Sequence, residues 1–372
     1  MTEHESPPGT QNSVPWFWPL ELASSFASHQ LEQFNRGLRT LTEANRLEHG
    51  LAPQFATANR ILLDLHTMQL RDFSTAGAPE DEIPTLIDAP YAGHTAVIAD
   101  YVDGQSLVQS LLNNGISRLY LTDWKSATYQ MKDYDIDNYL SELNVAVDDL
   151  GEQVNLIGLC QGGWMSAMYA ARYPHKVRRL VLAGAPIDTS AGDGAIRNIS
   201  HTLPMADYQN LVNMGGGLFP GRFMLAAWKS SKPEQHYFGK YVDLYEHLDD
   251  PVYMKKQEAF EAWYENPINL PGRWYLQAVE ELFKENRLAR GTFVGLGKTL
   301  SLADIKCPVT LLAGADDDIT TPEQVLDADK YLGTPASDIV KVTAPGGHIG
   351  LFMGANALDK YWPPIARWLR EE

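Results

Sequence analysis

The segment from Gln153 to Tyr173, QVNLIGLCQGGWMSAMYAARY, limits what this chain can fold into more than any other part of it. An apolar run ends in Gly158-Leu159-Cys160-Gln161-Gly162-Gly163 and passes at once into a helical pattern. That is strand, sharp turn and helix in the order G-x-S-x-G, with Cys in place of Ser. Glycines are needed there because the turn is strained and the strand and helix backbones approach closely around its central residue. A helix starting just after Cys160 also turns its positive end toward the sulfur and favours the thiolate. The plain alternative is a structural cysteine after an ordinary glycine-rich turn.

Short apolar runs recur at 83–90, 117–124, 153–160, 177–188, 307–317 and 338–344. Between them lie helix-like segments at about 104–113, 136–149, 161–173 and 321–332, with a closing helix near 354–370. Such alternation implies an α/β fold with a mostly parallel sheet and helices on both faces. Two stretches break the rhythm. Residues 13–81 read as helices and define a helical N-terminal extension over 1–82. The run 194–290 is aromatic-rich and helical without a strand, a cap inserted between core parts 83–193 and 291–372. The cluster Trp16-Phe17-Trp18-Pro19 serves either as an anchor for an apolar surface or as internal packing. A chain of 372 residues is long enough for one large domain with these additions.

A nucleophile on such a turn calls for an acid after a later strand and a histidine near the C-terminus, in that order. The run VTLLAG leads to Asp316-Asp317-Asp318, and IVKVT leads through Ala344-Pro345-Gly346-Gly347 to His348. Cys160, Asp317 and His348 are therefore the candidate triad, with Asp188 in GAPID as the competing acid. The oxyanion hole needs two backbone N–H donors. Gln161 offers the first, and Tyr91 or Ala92 in the loop Pro90–His94 the second. His94 and Trp164 are the candidate substrate contacts.

Thirty Lys and Arg against 47 Asp and Glu leave a net charge of −17, which repels phosphate backbones, so nucleic acid is not an expected partner. No stretch is apolar enough to span a membrane, and MTEHESPPGT has no secretory pattern, which together predict a cytoplasmic protein. The two cysteines, Cys160 and Cys307, fall at opposite ends of their strands, ~20 Å apart at ~3.3 Å per residue, so no disulfide is expected. No zinc-ligand cluster, phosphate-binding GxxxxGK[ST] loop or GxGxxG pattern occurs, so neither metal nor cofactor is expected.

The segments GLCQGGWMSAMYAARYPHKVRRLVLAGAPID, LADIKCPVTLLAGADDD and APGGHIGLFMG resemble the polyhydroxyalkanoate synthase and intracellular polyhydroxyalkanoate depolymerase superfamily, over about residues 84–372. The resemblance implies an α/β-hydrolase fold and a Cys-Asp-His triad at Cys160, Asp317 and His348. GLCQGG, PGGHIG and KYVDLYEHLDDP look like the short, two-component synthases. PYAGHTAVIADYVDGQSLV, YLTDWKSA, WYLQAVEELFKENRLARGT and DDI look like the depolymerases, and synthases usually carry His where this chain has Asp318. The weight of these motifs implies an intracellular depolymerase cleaving poly-3-hydroxybutyrate through a cysteine acyl-enzyme. A synthase polymerising 3-hydroxyacyl-CoA is the alternative, and a non-catalytic granule-binding protein the third. The implied partner is a polyhydroxyalkanoate granule or oligomer, with a homo-oligomer open and a second subunit expected for a synthase.

Overall fold

A computed structural model describes residues 18–49, 51–231 and 240–371. Eight strands form the main sheet: β1 (Arg60–Asp64), β2 (Met68–Asp72), β3 (Thr85–Asp88), β4 (Leu119–Trp124), β5 (Val154–Leu159), β6 (Val177–Ala183), β7 (Val309–Gly314) and β8 (Ile339–Ala344). Their order is β1-β2-β4-β3-β5-β6-β7-β8. The pairs β1/β2 and β2/β4 are antiparallel and the rest parallel. This is the strand order of the α/β-hydrolase fold. Strand β5 lies between β3 and β6 and is buried along its whole length, which explains its apolar run, with the one polar side chain, Asn155, donating to the Leu369 carbonyl at 3.2 Å.

The hairpin β1–β2 corrects the helical reading of residues 13–81. Among the described residues of that stretch only α1 (Trp18–His49) is an α-helix, while RILLD and MQLRD pair across the edge of the sheet. Strand β2 alternates buried and half-buried positions, but β1 is an edge strand with Ile61 and Leu62 exposed, so it carries no inward pattern to distinguish it from a helix. Trp16 and Phe17 lie outside the described residues.

Helices α2 (Leu107–Asn113), α3 (Ile136–Asp149) and α4 (Gln161–Arg172) follow the strands as the alternation predicts. Between β6 and β7 come α5 (Ala195–Thr202), α6 (Met205–Met214), α7 (Gly221–Ser231), α8 (Lys240–His247), α9 (Pro251–Tyr264) and α10 (Gly272–Gln277), then a π-helix at Ala278–Lys284. This segment is not strand-free as expected: Leu218–Phe219 and Leu270–Pro271 pair in a short antiparallel ladder. The closing helix predicted near 354–370 is two pieces, α13 (Ala355–Lys360) and α14 (Trp362–Arg370), preceded by α12 (Gly350–Met353) and, after β7, by α11 (Pro322–Leu326). Gly354 and the Pro363-Pro364 pair punctuate that helical run.

Candidate active site

Cys160, Asp317 and His348 each follow the carboxyl end of a parallel strand, β5, β7 and β8 respectively, so the sheet brings all three to one edge. Cys160 has φ +50° and ψ −118°, a left-handed backbone that a side-chain-bearing residue rarely adopts. The surrounding glycines let this turn close. A Cβ on Gly158 would lie 2.5 Å from the Gly163 Cα, one on Gly162 2.2 Å from the Asp88 carbonyl, and one on Gly163 2.2 Å from the Ala185 Cβ.

The His348 Nδ1 is 2.7 Å from the Asp317 Oδ2, and both residues are buried. The other carboxylate oxygen, Oδ1, accepts the N–H groups of Ile319 at 3.0 Å and Thr320 at 2.9 Å, which fixes the carboxylate's orientation. An ionised carboxylate accepts, so Nδ1 carries a proton and Nε2 is the nitrogen left for chemistry. That Nε2 is buried and has no hydrogen-bond partner. Burial works against a charged ring, but the charge of Cys160 and then the Asp317 hydrogen bond outweigh it and push His348 up to about 10.

The rival acids have other partners. The Asp188 carboxylate accepts from the Tyr331 hydroxyl at 2.6 Å, the Asn286 amide at 2.8 Å and the Ser190 N–H at 3.1 Å. Asp316 accepts the Gly346 N–H at 3.2 Å. Cys307 is a free thiol, half-buried just before β7, and burial pushes it up to about 11.

The oxyanion loop differs in detail from its expectation. Gln161 is the first residue of α4, where a backbone N–H has no intrahelical acceptor. The Tyr91 N–H, however, donates to the Gln161 Oε1, so of the two expected donors in the loop Tyr91 is already engaged. The same loop is held from beneath. Asp88, fully buried, accepts from the hydroxyls of Ser166 at 3.1 Å and Thr122 at 3.3 Å, while the Thr122 oxygen accepts the Ala89 N–H at 3.0 Å. Desolvation outweighs the hydrogen bonds and pushes Asp88 up to about 8.

His94 stands apart from its expected substrate role. Its Nε2 is 2.9 Å from the Tyr264 carbonyl and its ring packs against Trp263 and Tyr264 of α9, with burial lowering it to about 4. It joins the oxyanion loop to the helical insertion as a neutral ring. Trp164 is buried on α4, its ring 5.7 Å from that of Trp274 in α10, which in turn lies 5.2 Å from Tyr91. Asp88, Ser166 and Trp274 were missed by sequence reasoning. An acidic residue ending the apolar run PTLID was the available signal for Asp88, whereas Trp274 meets the site only through tertiary packing.

The family described as "Protein of unknown function (DUF3141)" matches residues 78–361. The chain belongs to this family. Among curated relatives of this DUF3141 member, the "Poly(3-hydroxyalkanoate) polymerase subunit PhaC" of Allochromatium vinosum is 28% identical over 95% of this chain and 99% of the relative. The protein of the same name from Synechocystis is 27% identical over 91% of this chain and 90% of the relative. These relatives place the chain in the polyhydroxyalkanoate synthase/α/β-hydrolase superfamily that its motifs indicated, and with that superfamily goes enzyme chemistry of the hydrolase or acyltransferase kind. Among solved structures, a monoacylglycerol lipase of Paleococcus ferrophilus covers 82% of this chain and 98% of its own at 17% identity, with a TM-score of 0.49. That superposition is too loose to add to the strand order. Among the described residues, no helix is long and apolar enough to cross a membrane.

Proposed function

We propose that this protein is a poly(3-hydroxyalkanoate) polymerase subunit that transfers 3-hydroxyacyl groups through Cys160. The observation that carries the reading is a cysteine held at positive φ on the β5–α4 turn, beside a histidine whose Nδ1 is fixed by Asp317. The His348 Nε2, in a ring held charged, already carries the Sγ proton as the sulfur attacks the thioester carbonyl, and the Gln161 and Ala92 N–H groups receive the oxyanion. Collapse expels the CoA thiolate, which takes the proton from His348. A 3-hydroxyl at the end of a growing chain then gives its proton to Nε2 and attacks the acyl-cysteine, forming the ester and returning the thiolate. Asp317 holds the ring and stabilises its charged form throughout.

Polymerase relatives along nearly the whole chain support acyl transfer to a hydroxyl over transfer to water. Hydrolysis of the polyester, which the motifs alone had favoured, finds no support among those relatives. The test is to incubate the purified protein with 3-hydroxybutyryl-CoA and, separately, with amorphous poly-3-hydroxybutyrate. The expected result is CoA release with growing polyester, lost in Cys160→Ala. Soluble hydroxy acids from the polymer, with no turnover of the thioester, would overturn the reading.

A further inference from the structure

Three buried N–H donors, linked by contact to the residue that follows the candidate nucleophile, have no hydrogen-bond partner: the Gln161 Nε2, the Trp164 Nε1 and the Trp274 Nε1. The side chains that bear them are contiguous. Gln161 and Trp164 are one helical turn apart on α4, so they share a face of the helix that begins at Cys160. The Trp164 ring packs on Trp274, Trp274 on Tyr91, and the Tyr91 N–H returns to the Gln161 Oε1. All three are at most 5% exposed. Buried donors are nearly always paired, and leaving one unpaired is costly to the fold. Indole is donor-only, and a Phe would fill much of the same volume without that cost. Two tryptophans and a glutamine that all leave N–H groups unsatisfied in one contact chain starting at the residue after Cys160 therefore call for acceptor atoms supplied from outside the chain.

We infer that the Gln161 amide and the Trp164 and Trp274 indoles form a donor-lined subsite beside Cys160 that recognises the oxygens of an oxygenated acyl chain, in preference to a plain alkyl chain. The inference rests on the polymerase reading for the direction of chemistry, and it adds residues and a selectivity to that reading. A 3-hydroxyacyl ester presents a hydroxyl or ester oxygen at regular intervals, each able to accept an N–H, between short apolar stretches that suit indole faces. An alkyl chain of equal length fills the space but leaves the donors unpaired. A site built to hydrogen-bond its ligand rejects the analogue that lacks the partner atom. Trp164, expected from the sequence to touch substrate, thereby gains a specific task and a second indole to share it.

The test uses the full chain carrying Cys160→Ala, so that binding is read without turnover. The methyl ester of the 3-hydroxybutyrate dimer is compared with methyl octanoate, which has the same chain length. The expected preference for the oxygenated ester is about a hundredfold, and Trp164→Phe and Trp274→Phe, each added singly, should each reduce it about tenfold. Thermal melting confirms that each variant is folded, and the ratio of two affinities is unmoved by a general loss of packing. Should one variant fail to fold, the other decides. Equal affinity for the two esters, or a preference that survives both substitutions, overturns the inference and means that water satisfies these donors. A parallel measurement, the mass gain of wild-type protein with 3-hydroxybutyryl-CoA, separates the two readings. No acylation with the ester preference intact sinks the polymerase and leaves the subsite, and acylation without any preference does the reverse.

Discussion

At the scale of single residues, Asp88 is a carboxyl group sealed under the nucleophile turn whose oxygens meet the hydroxyls of Ser166 and Thr122. Its acid form is favoured in the fold, with the group raised from 3.8 to about 8. The folded chain thus holds a proton that the unfolded chain releases near pH 4. The stability this gives is fully present below that pH and is lost as pH rises through about 8. Asp88→Asn, neutral at every pH and similar in shape, should therefore leave stability unchanged near pH 4. Above it the variant should gain on wild type by at most about 1.4 kcal/mol per pH unit until pH 8. Urea melts across that range read the difference, and parallel curves for the two proteins would reject a buried titrating acid. The cysteines give a second prediction at this scale. Burial raises Cys307 to about 11, so at pH 8 it is nearly all thiol. Iodoacetamide should alkylate Cys160 at least ten times faster than Cys307, and Cys160→Ala should abolish acylation with the fold intact. Peptide mass mapping over time measures both rates.

At the scale of elements, the turn from β5 into α4 is where sequence and structure agree most closely, because its chemistry is local. A nucleophile at positive φ needs glycines on both sides whatever the rest of the chain does, and Gly158, Gly162 and Gly163 stand at those positions. Gly162→Ala would drive a Cβ against the carbonyls of Asp88 and Ala89, at 2.2 and 2.8 Å, where backbone rather than a flexible side chain must yield. The expected cost is about 1–3 kcal/mol of stability. Activity should fall more than that loss implies, because the displaced segment leads into the oxyanion loop. A variant that melts lower yet keeps the wild-type rate would break this link. The placement of Cys160, Asp317 and His348 at one edge of the sheet was legible for the same local reason, each residue lying just past an apolar run. The hairpin β1–β2 was not, since Ile61 and Leu62 of the edge strand face solvent and nothing inside the segment marks its pairing with β4. Tyr91 was legible as part of the oxyanion loop but not as a donor already taken, because the acceptor is a side chain 70 positions away.

Over the whole molecule, the insertion between β6 and β7 divides into parts with unlike support. Residues Trp263, Ile268, Leu270, Trp274, Ala278 and Leu282 belong to the main core. Their segment is bonded to the oxyanion loop through Ile268 N–H to the Gly93 carbonyl at 2.8 Å and the Trp263 indole to the Thr95 carbonyl at 3.0 Å. Helix α8 instead packs with α1 in a small second cluster, Ala44, Leu47, Leu244 and Leu248. The ion pairs around this cluster, such as Arg39 of α1 with Asp249 just past α8, are exposed and contribute little, though Lys240 lies more deeply between Glu48 and Glu261. Stability is not uniform in such a molecule, and a unit held by few buried contacts opens more often than the sheet. The cap over 194–290 is therefore expected to move in parts, with α1 and α8 opening together while 263–282 stays closed. In the free protein, hydrogen exchange should be as slow over 263–282 as in β5 and β6, and measurably faster over both 36–49 and 240–248. Leu47→Ala, which removes about 2–5 kcal/mol of packing at such a buried site, should speed exchange in α8 without changing the sheet. Equal protection of α8 and β5 in the wild-type protein, or a Leu47→Ala variant whose sheet exchanges faster as well, would show one cooperative unit instead of two.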